Sequence, residues 1–249
     1  MQDSLEIYDN LVDILQNKDS INFDELKEIL GDDYEINLEI AKSLGIPLKI
    51  EDNNISIKTS DSIFNNTFCI VDIETTGFSP QTNNIIEIGA IKYRNGKILD
   101  KFESYVFAKE IPEKITEITG IDSSMVANAP MIDKVLREFK IFLEDSIFLA
   151  HNAIFDFNFI NAQLAQTKIP IMKNQVICTL ALARKTIKAQ KYGLEFLNGF
   201  LDINYPIRHR AYADCYIALR VFEEGLLNLP YDIKSVHDLI KFIKSSKVK

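Results

Sequence analysis

Two carboxylates interrupt the apolar run "FCIVDIETTGFSP" at residues 68–80. Side chains on a strand alternate between faces, so Asp72 and Glu74 share one face while Val71 and Ile73 share the other. With core on that other face, the pair opens on a polar site at the strand's C-terminal end, where open α/β sheets place ligands. The loop "TTGFSP" after the strand is short and contains a glycine, so it offers backbone N–H groups and hydroxyls to a closely approaching ligand. Two further acids stand in similar contexts. Asp156 follows the buried run "SIFLA" and the polar "HN", between Phe155 and Phe157, and Asp214 lies early in the closing helix, in "HRAYADCYIAL". An acid in the first turn of a helix is by itself an ordinary partner of the helix dipole. Acids that converge from several such positions repel one another unless a cation sits between them. Mg²⁺ and Mn²⁺, hard ions that take oxygen ligands, are the natural choice. Two such ions about 3.5–4 Å apart can hold both the attacking and the leaving oxygen of a phosphodiester. His209 stands five residues before Asp214. A neutral histidine, with an ordinary pKa near working pH, can take the proton of an attacking water. His151 either orients a loop or lines the cleft, and His237 reads as a surface residue near the C-terminus.

The elements that must position these residues emerge from periodicity. "SLEIYDNLVDIL" carries Leu5, Tyr8, Leu11, Ile14 and Leu15 at helical spacing, and "NFDELKEIL" and "NLEIAKSLGI" predict two more short helices. "IPLKIEDNNISIKT" has two alternating runs around "EDNN", a hairpin signal. Helices followed by a hairpin resemble a small winged-helix domain over residues 1–61, and "TSDSIFNN" is a polar joint to the remainder of the chain. From residue 67 the order changes. "TFCIVDIET" is a strand, and "NIIEIGAIKYRNGKILDKFESYVF" is a strand pair joined at Asn95-Gly96. "SIFLA" and the start of "QVICTLALARKT" are short buried strands among helices. Antiparallel strands followed by alternating strands and helices predict an α/β fold, a mixed sheet flanked by helices. Residues 230–249 are expected to be a short basic tail whose helix ends disordered. Glu87, in "NIIEIGA", is expected to pair with a neighbour.

The 249-residue chain is 47% hydrophobic and 26% charged, with a formal net charge of −8. That charge is unevenly distributed: residues 1–61 hold 15 acidic and 5 basic residues, whereas residues 62–249 hold 21 acidic and 23 basic ones. An acidic N-terminal unit repels phosphates, which points it toward protein contact or a structural role. The remainder is slightly basic. "ARKTIKAQKYG" offers Arg184, Lys185, Lys188 and Lys191, and "IRHR" offers Arg208 and Arg210, as sequence-independent phosphate contacts or simply as a solvated face. The three cysteines form no C-x-x-C pair, which argues against a zinc site or a disulfide frame. No run is long enough to span a bilayer and the start lacks the signal-peptide pattern, so a cytoplasmic protein is expected.

Taken together, "VDIETTG", "AHNAIFD" and "HRAYAD" resemble the three ordered motifs of the DEDDh exonuclease family, in the DnaQ-like, ribonuclease-H-type superfamily, over residues 67–229. The Y-type relatives place a tyrosine four residues before the last Asp, where this chain has Arg210, and Tyr212 falls at the wrong spacing. The resemblance implies a ribonuclease-H-like mixed five-stranded sheet flanked by helices. It also implies a 3′→5′ exonuclease that releases nucleoside 5′-monophosphates with two divalent cations, Mg²⁺ or Mn²⁺. Asp72, Glu74, Asp156 and Asp214 would hold one cation between them, directly or through water. Asp72 would also bridge to the second, and His209 would act as the base. Thr75, Thr76 and Gly77 would receive the 3′-terminal nucleotide, with Thr76 near its 3′-hydroxyl. Phe78 would stack on a base or pack as core, and His151 and Asn152 would line the substrate site. Longer stretches, among them "ITEITGI" and "ICTLALAR", resemble the proofreading exonuclease of bacterial DNA polymerase III, either its epsilon subunit or the domain built into Gram-positive replicative polymerases. At 249 residues there is no room for a polymerase domain, so an epsilon-like subunit acting in trans is expected. It would work on a single-stranded 3′ end of DNA beside the polymerase III catalytic subunit, with the N-terminal unit taking over docking. An RNA-directed exonuclease is the alternative within the same chemistry, because the motifs do not separate DNA from RNA. A non-catalytic adaptor is the alternative outside it.

Overall fold

The computed structural model describes residues 3–18, 20–206 and 209–245, and two sheets organise them. The first belongs to the N-terminal unit, built from α1 (Asp3–Asn17), β1 (Ile21–Asn22), α2 (Phe23–Leu30), α3 (Tyr34–Ser43), β2 (Leu48–Glu51) and β3 (Asn54–Ile57). Its strands are antiparallel in the order β1-β3-β2. Asn22 caps α2 with a reciprocal Glu25 contact, which satisfies two otherwise orphaned N–H groups. The apolar stripe of α1, Tyr8, Leu11 and Leu15, closes a core of its own with Leu26, Leu30, Ile46 and Ile55.

The second sheet begins with β4 (Phe68–Thr75), β5 (Ile85–Arg94) and β6 (Lys97–Tyr105), all antiparallel. Asn95 and Gly96, both at positive φ, make the tight turn between the last two. Then come α4 (Glu113–Thr119), α5 (Ser123–Val126), α6 (Ile132–Leu143), β7 (Ile147–Ala150), α7 (Ala153–Gln166), β8 (Val176–Cys178) and α8 (Thr179–Thr186). The order β6-β5-β4-β7-β8, with β7 and β8 parallel to β4, is the mixed five-stranded sheet expected. The chain closes with α9 (Leu194–Phe200), α10 (Ala211–Leu227) and α11 (Val236–Lys244).

Helices cover both faces of this sheet, and the alternation along β4 shows how. Cys69, Val71 and Ile73 pack with Val135, Phe139, Phe159 and Ile160 of α6 and α7. Phe68 and Ile70 pack on the opposite side with Leu182, Cys215, Leu219 and Phe222 of α8 and α10. Asp72 and Glu74 continue this second face beyond its apolar end.

Residues 230–245 pack against the rest of the chain. Val236 and Leu239 are fully buried, and Ile63 donates its N–H to the Lys234 carbonyl. Lys185 donates to the carbonyls of Phe242 and Ser245 at the end of α11, which removes it from the expected phosphate-binding cluster. The physical reason is the strongly amphipathic "VHDLIKFIK" helix, whose apolar face needs a partner. The end expected to be disordered, 246–249, lies outside the described residues, as does Arg208. No described helix is long and apolar enough to cross a membrane. The N-terminal unit meets the rest of the chain just before β7 and β8 begin: Lys173 donates its N–H to Leu44 (2.6 Å), and Lys58 pairs with Asp145. That is the opposite end of the sheet from Asp72 and Glu74.

Candidate active site

The acids converge from three elements. β4 supplies Asp72 and Glu74, and a register irregularity right after Glu74 re-aims the chain into the loop. α10 supplies Asp214 three residues past its start, and the ligand oxygens of Asp72, Glu74 and Asp214 lie within 4.8 Å of one another. α10 comes this close because its first turn lies on Gly89, directly across from Asp72. A Cβ there would stand 2.5 Å from the backbone of Ala211 and Tyr212. α7 supplies Asp156, only 4% exposed, from the layer on the other side of the sheet. The turn into that helix is made by Asn152 in the left-handed region, a conformation asparagine tolerates.

Burial and mutual repulsion set the electrostatics. Asp72 is pushed well above the usual carboxylate range, first by burial and then by Asp156, Glu74, Asp214 and Glu87. Glu74 is pushed up to about 8, by burial and then by Asp214 and Glu87, with Arg210 opposing. Asp156 is pushed up to about 8 by burial, opposed by nearby backbone groups. Groups this costly to ionise, with oxygens this close, fit a divalent cation: its charge would offset both the burial and the repulsion, and every donor is an oxygen. Asp72, Glu74 and Asp214 are the residues that would hold it, with Asp156 beside them. His209 is exposed, two residues before α10, with φ +53°.

The loop after β4 is held by its own polar groups and by α7. Thr75 donates its hydroxyl to the Gly77 carbonyl at 2.8 Å, and the Thr76 hydroxyl accepts from the Asn84 N–H at 2.9 Å. A Cβ at Gly77 would lie 2.5 Å from the Asn83 side-chain oxygen, so a side chain there would require Asn83 to shift. Phe78 is 91% exposed, which rules out the core-packing role and leaves its ring in solvent. Asn152 is likewise exposed.

His151, expected to orient a loop or line the cleft, is held from both sides. Its Nε2 donates to the Tyr192 carbonyl at 2.7 Å and its Nδ1 meets the Thr179 hydroxyl at 2.8 Å, so both ring nitrogens are engaged within the protein. Burial pushes its pKa down to about 4, which keeps the ring neutral. It ties two loops together. Arg210 differs from expectation, turning inward to Glu87 rather than outward to phosphate. Sequence reasoning missed Gln163. This buried amide donates to the carbonyls of Pro80 and Asn83 and so ties the 76–84 loop to α7. The signal was there: Gln163 lies two helical turns after Asp156, on the same face of an apolar helix.

A mixed five-stranded sheet flanked by helices, with carboxylates converging at the C-terminal end of β4, is a ribonuclease-H-like fold. Residues 69–222 match the RNase T exonuclease family, and the chain belongs to that family. The PolC-type DNA polymerase III of Thermotoga maritima is 40% identical over 166 residues, covering 66% of this chain and 12% of that protein. That of Clostridium perfringens is 35% identical over 214 residues, covering 82% and 15%. The chain therefore spans 12 to 15% of the length of these relatives. Among solved structures, exonuclease X in complex with 5′ overhanging duplex DNA is 27% identical, with a TM-score of 0.52, over 69% of this chain and 99% of that one. E. coli exonuclease I in complex with a dA16 oligonucleotide has a TM-score of 0.62 over 71% of this chain and 43% of its own, and at 16% identity this likeness is one of fold.

Proposed function

We propose that this exonuclease removes nucleotides from single-stranded 3′ ends of DNA in the 3′→5′ direction, as a proofreading activity beside a bacterial DNA polymerase III. The observation that carries the reading is the cluster of Asp72, Glu74 and Asp214, with ligand oxygens within 4.8 Å of one another, next to the buried Asp156. Divalent cations held there, Mg²⁺ or Mn²⁺, would lower the pKa of water and offset charge on the phosphodiester oxygens. His209 takes the proton of the attacking water. Water oxygen bonds to phosphorus, the bond to the 3′-oxygen of the penultimate nucleotide breaks, and that oxygen gains a proton. A nucleoside 5′-monophosphate leaves. Thr75, Thr76 and Gly77 would seat the terminal nucleotide, with Asn152 a further contact to it, and Phe78 would stack on or beside a base, a contact that tolerates any sequence. The similarity to PolC-type polymerases supports the proofreading role and a polymerase partner.

The test is release of mononucleotides by purified protein with Mg²⁺ from matched single-stranded DNA, a mismatched primer-template and RNA. Single-stranded and mismatched DNA are expected to be degraded from the 3′ end. His209→Ala should lower the rate by about 10²–10⁴-fold with folding unchanged. Preference for RNA would overturn the proofreading role alone, and no release from any substrate would overturn the whole reading.

A further inference from the structure

We infer that Glu87 and Arg210 form a buried clamp that positions the general base and the last carboxylate, making both positioning residues for the reaction. This rests on the metal-dependent exonuclease reading proposed for the site. Glu87 is only 7% exposed and stands directly across the sheet from Glu74. Like charges in that register repel, so something must hold Glu87 there. Its carboxylate accepts from Arg210 through Nη2 at 2.8 Å and through Nε at 3.2 Å to each oxygen. It also accepts the backbone N–H of Ala211 at 2.9 Å, which caps the first residue of α10. These bonds engage both oxygens, and Glu87 is not in the metal-holding cluster.

Arg210 is fixed from the other side as well. It donates to the Tyr105 hydroxyl at 2.5 Å, with its guanidinium carbon 5.2 Å from the Tyr105 ring centre, and its carbonyl accepts the Asp214 N–H at 3.0 Å. One arginine thus joins the residue after His209 to the helical turn that carries Asp214. The clamp sets where α10 begins and how it is rotated, and so where both groups point. Charge adds a second effect. While Glu87, directly across the sheet from Glu74, holds the guanidinium, it cannot swing to Glu74 and compete there with a divalent cation.

The test compares Glu87→Gln with wild type in three measurements: steady-state cleavage of a 5′-labelled single-stranded oligonucleotide, Mn²⁺ binding by calorimetry, and thermal unfolding. Outer partners of metal ligands typically change affinity or activity by about 10–100-fold. The variant is expected to lose at least tenfold in kcat with KM within twofold, to bind Mn²⁺ about tenfold more weakly, and to unfold cooperatively. Adding Arg210→Gln should recover only part of the lost Mn²⁺ affinity, because the freed cation is gone but Asp214 is still unclamped, while kcat stays low. Tyr105→Phe removes one bond to Arg210 without touching Glu87, and should lower kcat by about fivefold even if Glu87→Gln fails to fold. Wild-type kcat and Mn²⁺ affinity in folded Glu87→Gln and Tyr105→Phe would overturn the clamp, as would a loss confined to KM or one that merely tracks the melting temperature. If wild type itself cleaves nothing, the exonuclease reading fails, and Mn²⁺ affinity still decides whether the clamp guards the cluster.

Discussion

The acids of the cluster are set against the stability of the fold that holds them. Glu74 and Asp156 are pushed up to about 8 in the folded, metal-free protein, from ordinary values near 4.5 and 3.8. Between those limits the folded state binds more protons than the unfolded chain, so stability falls as pH rises. The favourable contribution is complete below about pH 4, where both states are protonated, and is lost as pH passes about 8. Removing one charge should relieve the repulsion. Metal-free Asp72→Asn is therefore expected to be more stable than wild type at pH 8 by about 1–3 kcal/mol, with the difference vanishing near pH 4. For a chain of this size, that corresponds to roughly 2–4 °C in melting temperature per kcal/mol. The same variant should release no mononucleotide and should gain less stability than wild type from added Mn²⁺. Thermal melts across pH, with chelator and with Mn²⁺, check this; a variant less stable than wild type at pH 8 would contradict it.

The element that completes the site is α10, and its closeness to β5 is what the chain must guarantee. Gly89 provides it by having no side chain where the backbone of Ala211 and Tyr212 passes, and Cys215 reinforces it through a 3.2 Å contact with the Gly89 carbonyl. Gly89→Ala cannot be absorbed by a flexible side chain, because the atoms it meets are main chain. The helix must shift, at about 1–3 kcal/mol for overpacking. Cleavage should fall more steeply than stability, since Asp214 moves with the helix. Thermal unfolding and kcat measured on the same sample test this, and unchanged values of both would show that the close approach is dispensable. Much of this arrangement was legible in the sequence. Alternation placed Asp72 and Glu74 on one face, Asn95-Gly96 fixed the hairpin, and the motifs named Asp156 and Asp214, which the fold brings to that pair. The register of β4 against β5 was not legible, because no tight turn joins them and packing decides it. Glu87 opposite Glu74, and the inward turn of Arg210, therefore had no local signal beyond an acid that needed a partner. His151 was ambiguous for the same reason: its partners Thr179 and Tyr192 lie 28 and 41 residues away. In the C-terminal helix basic residues alternate with an apolar stripe, and the stripe decides that it is buried.

At the scale of the whole molecule, the chemistry and the charge sit at opposite ends. The carboxylates open beyond the C-terminal ends of β4 and β7, whereas the N-terminal unit meets the residues just before β7 and β8 through Leu44, Lys58 and Lys173. With 15 acidic and 5 basic residues in 1–61, that unit is a poor match for a phosphate backbone. On α3, Ile36 is 64% exposed beside Glu35 and Glu39, a mix of apolar and acidic surface suited to a protein rather than to DNA. We therefore expect it to dock a polymerase while leaving the cleft free. A fragment starting at Lys58 retains the buried Thr59 and Ile63 and all of the catalytic elements. It should cleave a short oligonucleotide with kcat within about twofold of the full chain, because no group that touches substrate has been removed. Its melting temperature should fall, since the surface of residues 173–175 loses its cover. In a pull-down with a PolC-type polymerase from the same cells, the full chain should retain the polymerase and the fragment should not. Equal capture by both would place the docking surface on the nuclease body and leave the acidic unit as a stabilising cover alone.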